Sequence, residues 1–264
     1  MESKFLFLGG PCAIESEDNV LYLAEHIKKI VDKFEVEYYF KASWDKANRT
    51  KATNYRGPGL EEGLRILEKV KHEVDVKVVT DIHEPWQAAP VAEVVDMLQI
   101  PAFLCRQTDL LEAAAKTQKI INVKKAQFMS PEEMSTAINK LEYFGNRRIL
   151  LCDRGTCFGY NNLIVDMTGL VRLARLGYPV IFDATHSVQI NGGGFQHGNS
   201  GKREFVPYLA KAAVATGVLG GLFMEIHNDP EHALCDGSCM LELKTLEPLL
   251  SQLMEIQAIN QRYQ

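Results

Sequence analysis

The stretch Phe5-Leu6-Phe7-Leu8-Gly9-Gly10-Pro11-Cys12-Ala13-Ile14-Glu15-Ser16 reads as one complete handover from strand to helix. Four apolar residues lead into a glycine-proline turn, and an amphipathic pattern follows. The glycines permit close approach of backbone or ligand. From about residue 17 to 34, Val20, Leu23, Ala24, Ile27, Ile30, Val31 and Phe34 fall on one helical face. Ser16 is placed to cap this helix, and Glu17 and Asp18 suit the positive end of its dipole. Taken alone, Cys12 in such a turn reads as a buried thiol behaving as a small hydrophobe.

The same unit recurs along the chain. Further strands are expected at 36–43, 77–82, 97–102, 120–126, 149–154, 180–185 and 222–227. Helices are expected at about 60–71, 85–95, 108–116, 168–176, 204–216 and beyond 243. Another should follow Ser130-Pro131-Glu132-Glu133, which combines a capping box with proline at the first helical position. Eight strands, each followed by a helix, predict a single-domain (β/α)8 barrel over residues 1–264. An open doubly wound sheet is the alternative, but no GxGxxG fingerprint or P-loop follows any strand. Two connections stand out for length or glycine content, Trp44 to Gly59 and Asn191 to Gly201.

Composition narrows the function classes. A net charge of −5, with 46% hydrophobic and 24% charged residues, is ordinary for a soluble globular chain and gives no support to a nucleic-acid or membrane partner. No apolar run is long enough to span a bilayer, and Met1-Glu2-Ser3-Lys4 does not open a signal peptide. A cytoplasmic protein is therefore expected, with Cys12, Cys105, Cys152, Cys157, Cys235 and Cys239 as free thiols.

Charged and polar residues gather at the C-terminal ends of the expected strands. They include Lys41 and Ser43, with Lys46, Asn48 and Arg49 beyond; Asp81 and His83; Gln99 and then Arg106; Asn122, Lys124, Lys125 and Gln127; Asp153 and Arg154; Asp183 and His186; Glu225 and His227, with Asp236 in the following loop. In a barrel these ends converge on one mouth. On the fifth strand Val123 should face the helices, which turns Asn122 and Lys124 inward and Lys125 away. The set Lys41, Lys46, Arg49, Arg106, Lys124 and Arg154 would repel itself unless anions bind among it, and suits phosphate and carboxylate groups. Cys12, His186, Glu225 and Asp236 form a mixed donor set suited to iron, zinc or manganese, and barrel closure alone would make them neighbours. Against this, His186 also reads as a hydrogen-bonded core histidine, and Glu225 as a partner of one basic residue.

Several stretches carry a family resemblance: Phe40–Arg49 (FKASWDKANR), Arg56–Gly63 (RGPGLEEG), Thr80–Pro85 (TDIHEP), Gln99–Leu110 (QIPAFLCRQTDL), Asn122–Lys125 with Gln127-Phe128, Cys152–Asn162 (CDRGTCFGYNN) and Phe182–Ser187 (FDATHS). Together they resemble the 3-deoxy-D-manno-octulosonate 8-phosphate synthase family over nearly the whole chain. The resemblance implies a (β/α)8 barrel, typically a homotetramer. It implies condensation of phosphoenolpyruvate with arabinose 5-phosphate and water, giving the eight-carbon sugar phosphate of lipopolysaccharide core synthesis and inorganic phosphate. By the same resemblance Lys124, Arg154 and the backbone near Ala102 would hold the phosphoenolpyruvate phosphate. Lys41, Ser43, Lys46 and Gln99 would address its carboxylate side, with Gln127 also in the substrate site. Asn48, Arg49 and Thr50 would receive the pentose phosphate, with Arg106 nearby. Thr50 stands where the family usually has serine, which keeps the hydroxyl.

Cys12 is the mark of the metal-dependent branch, which implies Cys12, His186, Glu225 and Asp236 as ligands and Cys12, His186, Lys46 and Asp236 as catalytic residues. The Cys235-Asp236-Gly237 loop is also of a type seen in metal-independent members. A related alternative is 3-deoxy-heptulosonate 7-phosphate synthase, which uses erythrose 4-phosphate and typically carries Lys-Pro-Arg-Thr where this chain has Lys46-Ala47-Asn48-Arg49-Thr50. A silent sugar-phosphate-binding barrel is the third reading, and it would not need the metal donor set.

Overall fold

The computed structural model describes residues 4–157, 163–190 and 201–263. Most of the glycine-rich connection at 191–200 and the end of the CDRGTCFGYNN stretch at 158–162 lie outside the described residues. The opening stretch behaves as its sequence dictates. Strand β1 (Phe5–Gly10) ends in the glycine turn, and α1 (Glu17–Val31) begins two residues after Glu15. The Ser16 side chain accepts the Asn19 backbone N–H at 3.2 Å, satisfying one of the helix's unpaired donors. A Cβ at Gly10 would strike the Lys41 carbonyl oxygen, so glycine there lets the ends of the first two strands lie close.

The unit repeats as β2 (Val36–Lys41), α2 (Leu60–Glu73), β3 (Lys77–Asp81), α3 (Ala88–Val94), β4 (Met97–Ile100), α4 (Thr108–Lys116), β5 (Ile120–Lys124) and α5 (Ser135–Tyr143). It continues through β6 (Ile149–Asp153), α6 (Met167–Ala174), β7 (Val180–Asp183), α7 (Val206–Ala215), β8 (Leu219–His227) and α8 (Leu246–Arg262). Each strand pairs in parallel with the next. β8 returns to β1 with Leu6 opposite Gly221 and Gly10 opposite Glu225, so the sheet closes. The predicted barrel is the observed one, and the open sheet is excluded. Several strands stop one or two residues short of their expected ends, because the chain there turns into loops. Ser130 and Glu133 form the expected reciprocal cap, but the first turn after it is 3-10. No helix among the described residues is long and apolar enough to cross a membrane.

Strand alternation sorts the side chains into two apolar layers. Ile121, Val123, Leu151, Phe182 and Leu222 face outward and pack with Leu23, Ile27, Leu67, Leu111, Leu250 and other helix residues. Leu8, Tyr39, Val79, Met97, Leu150, Cys152, Ile181 and Phe223 fill the barrel interior. Two residues further along, on the same inward face, come Lys41, Asp81, Gln99, Arg154, Asp183 and Glu225. The apolar plug therefore ends where the polar mouth begins.

Closure depends on small residues where β8 meets β1. A Cβ at Gly221 would collide with the Leu6 carbonyl oxygen and side chain. Gly221→Ala is expected to cost about 1–3 kcal/mol by overpacking, measured as a lowered urea midpoint with unchanged m. An unchanged midpoint would contradict this register.

Candidate active site

A cavity of about 370 Å³ opens at the C-terminal mouth, lined by residues of β2, β3, β4, β5 and β8 and of the loops after β2, β3, β4, β6 and β7. Lys41, Ser43, Lys46, Asn48, Gln99, Ala102, Lys124, Arg154, His186 and Glu225 reach it, as the sequence reading expects. Asp81 and His83 also line it, although that reading gave them no role. Cys12 and Asp236 lie just behind the lining, next to Lys46 and Glu225. Arg49 and Thr50 stand outside it, with Arg49 donating to the Leu234 carbonyl at 3.3 Å. Gln127 is buried without lining the cavity, and Arg106 is exposed outside it. His227 turns aside to Asn19 and Glu15, at 3.2 and 3.5 Å. Lys125 does point away: its ammonium binds the carbonyls of Met129 and Gly155, both at 3.3 Å, and ties two loops together.

The long connection after β2 places Lys46. Its base is tied by the Lys46 N–H on the Arg56 carbonyl at 2.5 Å, by the Asp45–Arg56 ion pair, and by the Trp44 indole N–H on the Asp81 carbonyl at 3.0 Å. Tyr55 donates to the Ile14 carbonyl at 2.7 Å, locking this loop to the one that carries Cys12.

The basic residues do not simply repel one another. Lys124 Nζ lies 2.5 Å from Asp183 Oδ2, Lys46 Nζ 3.0 Å from Asp236 Oδ2, and Lys41 Nζ 3.5 Å from Glu225 Oε1. This corrects the expectation that anions must bind to hold the cations together, since each lysine meets a carboxylate from another strand end or loop. Arg154 differs. Among the described residues it meets no carboxylate, binding instead the Gln189 side-chain oxygen at 2.6 Å and the His186 carbonyl at 3.4 Å. Its Nε is buried without a partner. His83 Nδ1, Asn122 Oδ1, Gln127 Oε1, Arg49 Nε and Glu225 Oε2 are likewise unpartnered at strand ends or in the loops beyond them. Buried polar atoms are nearly always satisfied, and three of these, His83 Nδ1, Arg154 Nε and Glu225 Oε2, belong to residues that line the cavity.

Burial shapes the charges. It lowers the Lys41 pKa despite Glu225 and Asp81 nearby. For Lys46 burial also disfavours charge, but Asp236 and Glu225 outweigh it and raise the ammonium pKa. Burial opposes ionisation of Asp81, Asp183, Glu225 and Asp236. His83 and Lys41 at Asp81, His186 and Lys124 at Asp183, His186 and Lys46 at Glu225, and Lys46 at Asp236 overcome that cost and hold all four below the usual carboxylate range. Ser43 donates to Asp81 Oδ1 at 2.5 Å and accepts from Lys41 at 2.9 Å, joining the two charges.

The proposed metal donors converge only partly. His186, Glu225 and Asp236 bring their ligand atoms within 4.8 Å of one another, and so, separately, do Cys12, Cys235 and Asp236. His186 Nδ1 is held by Asp183 Oδ2 at 2.6 Å, which turns Nε2 toward Glu225 Oε1 at 3.3 Å. A ligating histidine is usually oriented in this way. With Glu225 Oε2 also unpartnered, the donor chemistry and the geometry fit a divalent cation. Asp236 reaches the group from a left-handed backbone position, φ 47°, which aspartate tolerates. One expectation fails. Cys12 and Cys235 bring their sulfurs together, their Cα atoms 6.3 Å apart, so these two of the six cysteines form a pair within disulfide-bonding reach and not two isolated thiols. Barrel closure puts the loops after β1 and β8 side by side, as expected for Cys12 and Asp236, and brings Cys235 along with Asp236.

A closed (β/α)8 barrel with buried, mutually paired ionic groups at its C-terminal mouth is the architecture of a barrel enzyme. The chain belongs to the DAHP synthetase I family, whose sequence profile matches residues 1–262, and within it to the 2-dehydro-3-deoxyphosphooctonate aldolases. It is 58% identical over 254 residues to the 2-dehydro-3-deoxyphosphooctonate aldolase of Cyanothece sp., covering 96% of this chain and 92% of that protein. It is 52% identical over 259 residues to that of Geobacter sulfurreducens, covering 98% and 94%.

Asp183 serves Lys124 and His186 at once. Asp183→Asn is expected to destabilise the fold by about 3–5 kcal/mol, because it strips the carboxylate from a buried pair. Urea denaturation measures this. A loss below about 1 kcal/mol, the size of a surface pair, would contradict the arrangement.

Proposed function

We propose that this chain, acting over residues 1–264 as one catalytic unit, condenses phosphoenolpyruvate with D-arabinose 5-phosphate and water. The products are 3-deoxy-D-manno-octulosonate 8-phosphate and inorganic phosphate. The observation that carries this reading is the shared cavity wall: Lys41, Lys46, Lys124 and Arg154 stand beside His186 and Glu225. The names of the relatives support the same chemistry.

In this reading Arg154, which pairs with no carboxylate among the described residues, takes the phosphoenolpyruvate phosphate together with Lys124 and the backbone at Ala102. Lys41, Ser43 and Gln99 address the carboxylate. Asn48, Arg49 and Thr50 receive the pentose phosphate at the outer rim, so the aldehyde points inward. Water adds to C2 of the enol phosphate while C3 forms the new carbon–carbon bond to the aldehyde carbon. The aldehyde oxygen gains a proton, and the C2–O bond to phosphate then breaks. Lys46, held charged by Asp236 and Glu225, faces the oxygen on which negative charge develops. His83 Nδ1 and the Asp81 carboxylate offer polar contacts to the attacking water. Cys12, His186, Glu225 and Asp236 would hold a divalent iron, zinc or manganese ion, with Cys12 as its reduced thiolate. That ion supplies Lewis acidity for the aldehyde or the water. Holding both reactants in one cavity converts the encounter into a positioned reaction. A cytoplasmic homotetramer completes the proposal. Exposed Phe103 and Phe128, in the loops after β4 and β5, supply apolar surface for a second copy to cover.

Phosphate release tests this reading. Reduced protein is expected to release phosphate from phosphoenolpyruvate only when arabinose 5-phosphate is present, to stop with chelator, and to recover with added manganese or zinc. Faster turnover with erythrose 4-phosphate would assign it to the heptulosonate reaction instead. Binding of both substrates without phosphate release would indicate a silent barrel.

A further inference from the structure

Cys235 has no part in the condensation just described, yet it sits against the donor set. It immediately precedes Asp236 in the loop after β8, and Cys12 occupies the loop after β1. Both are buried and pack with Ala13 and Met240. Their Cα separation of 6.3 Å lies within the span a disulfide bridges without backbone movement. Asp236 belongs to both clusters of close donor atoms, the one containing the two sulfurs and the one containing His186 and Glu225. The Cys12 sulfur therefore faces two partners that it could not serve together, the Cys235 sulfur and a cation held by His186, Glu225 and Asp236.

We propose that Cys12 and Cys235 form a reversible oxidation site whose disulfide and the divalent cation compete for the Cys12 sulfur. The inference rests on the donor set proposed above. The oxidant is a small peroxide. One thiolate attacks the peroxide O–O bond, forming a sulfenic acid and releasing water after proton transfer. The second sulfur then attacks the sulfenic sulfur, the S–S bond forms, and a second water leaves. Two thiols lose two hydrogens and two electrons, and hydrogen peroxide becomes two waters. A dithiol reductant reverses the change by exchange. The surroundings favour this pair over the other cysteines. Lys41 binds the Cys12 carbonyl at 3.0 Å, and Lys46 lies 3.0 Å from Asp236, so two lysines fix the two loops that carry the sulfurs. Cys105 and Cys152 are buried elsewhere, and burial pushes both thiols up.

The test uses the full chain, reduced with dithiothreitol, stripped by chelator, and either left metal-free or reloaded with zinc, which is redox-inert. Both forms are treated with hydrogen peroxide and followed by intact mass, non-reducing peptide mapping and zinc content. The metal-free form is expected to lose the mass of two hydrogens and to link the Cys12 and Cys235 peptides. Its zinc affinity should fall by roughly tenfold or more and return with dithiothreitol, since a ligand has been withdrawn. The zinc-loaded form should oxidise more slowly. Cys235→Ser should still bind zinc when reduced, but should gain oxygen at Cys12 in place of the linkage. No linked peptide, or a linkage that leaves zinc affinity unchanged, would overturn the proposal. Reduced wild-type protein that takes up no zinc would overturn the metal reading and the competition with it, while the mass change still reports on the thiol pair alone.

Discussion

The pairing of β8 with β1 is the constraint on which the rest depends. Seven of the eight strand pairings join neighbours in sequence, and an open sheet would make those too. The eighth brings Gly10 opposite Glu225, and with it the Cys12 loop beside the loop that carries Asp236. Without closure there is no apolar plug, no ring of inward polar residues above it, and no donor set. A small residue makes this possible, because Gly221 of β8 lies against the Leu6 carbonyl of β1.

Closure also solves an electrostatic problem. A lysine or carboxylate buried by itself would lose its charge or destabilise the fold. Here each buried lysine of the mouth meets a carboxylate supplied by a different strand end or loop, and the histidines join the same network. The charges are thus held in place before any substrate arrives, which favours a transition state that develops charge in a water-poor cavity. Arg154 differs from the lysines that line the cavity: among the described residues it binds the Gln189 side-chain oxygen and the His186 carbonyl, with no carboxylate at ion-pair distance.

Much of this was legible from sequence. Glycine turns, caps and strand alternation announced eight repeats, and Val123 facing outward turned Asn122 onto Gln99 and Lys124 into the cavity as expected. The charged strand ends named most of the cavity lining. Legibility stopped at pairings between distant segments. Asp183 looked like one more charged strand end, although it holds both Lys124 and His186. The Ser43–Asp81–His83 chain joins two strands, and no local pattern links its members. Arg106 carried the same basic signal as Arg154 but lies exposed outside the cavity.

The sequence by itself determined the repeat, the direction each strand residue faces, and the chemical inventory at the mouth. Those properties follow from local stereochemistry, with its periods of two and 3.6 residues. Tertiary structure alone decided which charges neutralise each other, and that Arg154 binds neutral oxygens among the described residues. It also decided that Cys12 has a second sulfur for a neighbour. Those outcomes depend on distances between chain segments up to 223 residues apart, which only a closed barrel brings together.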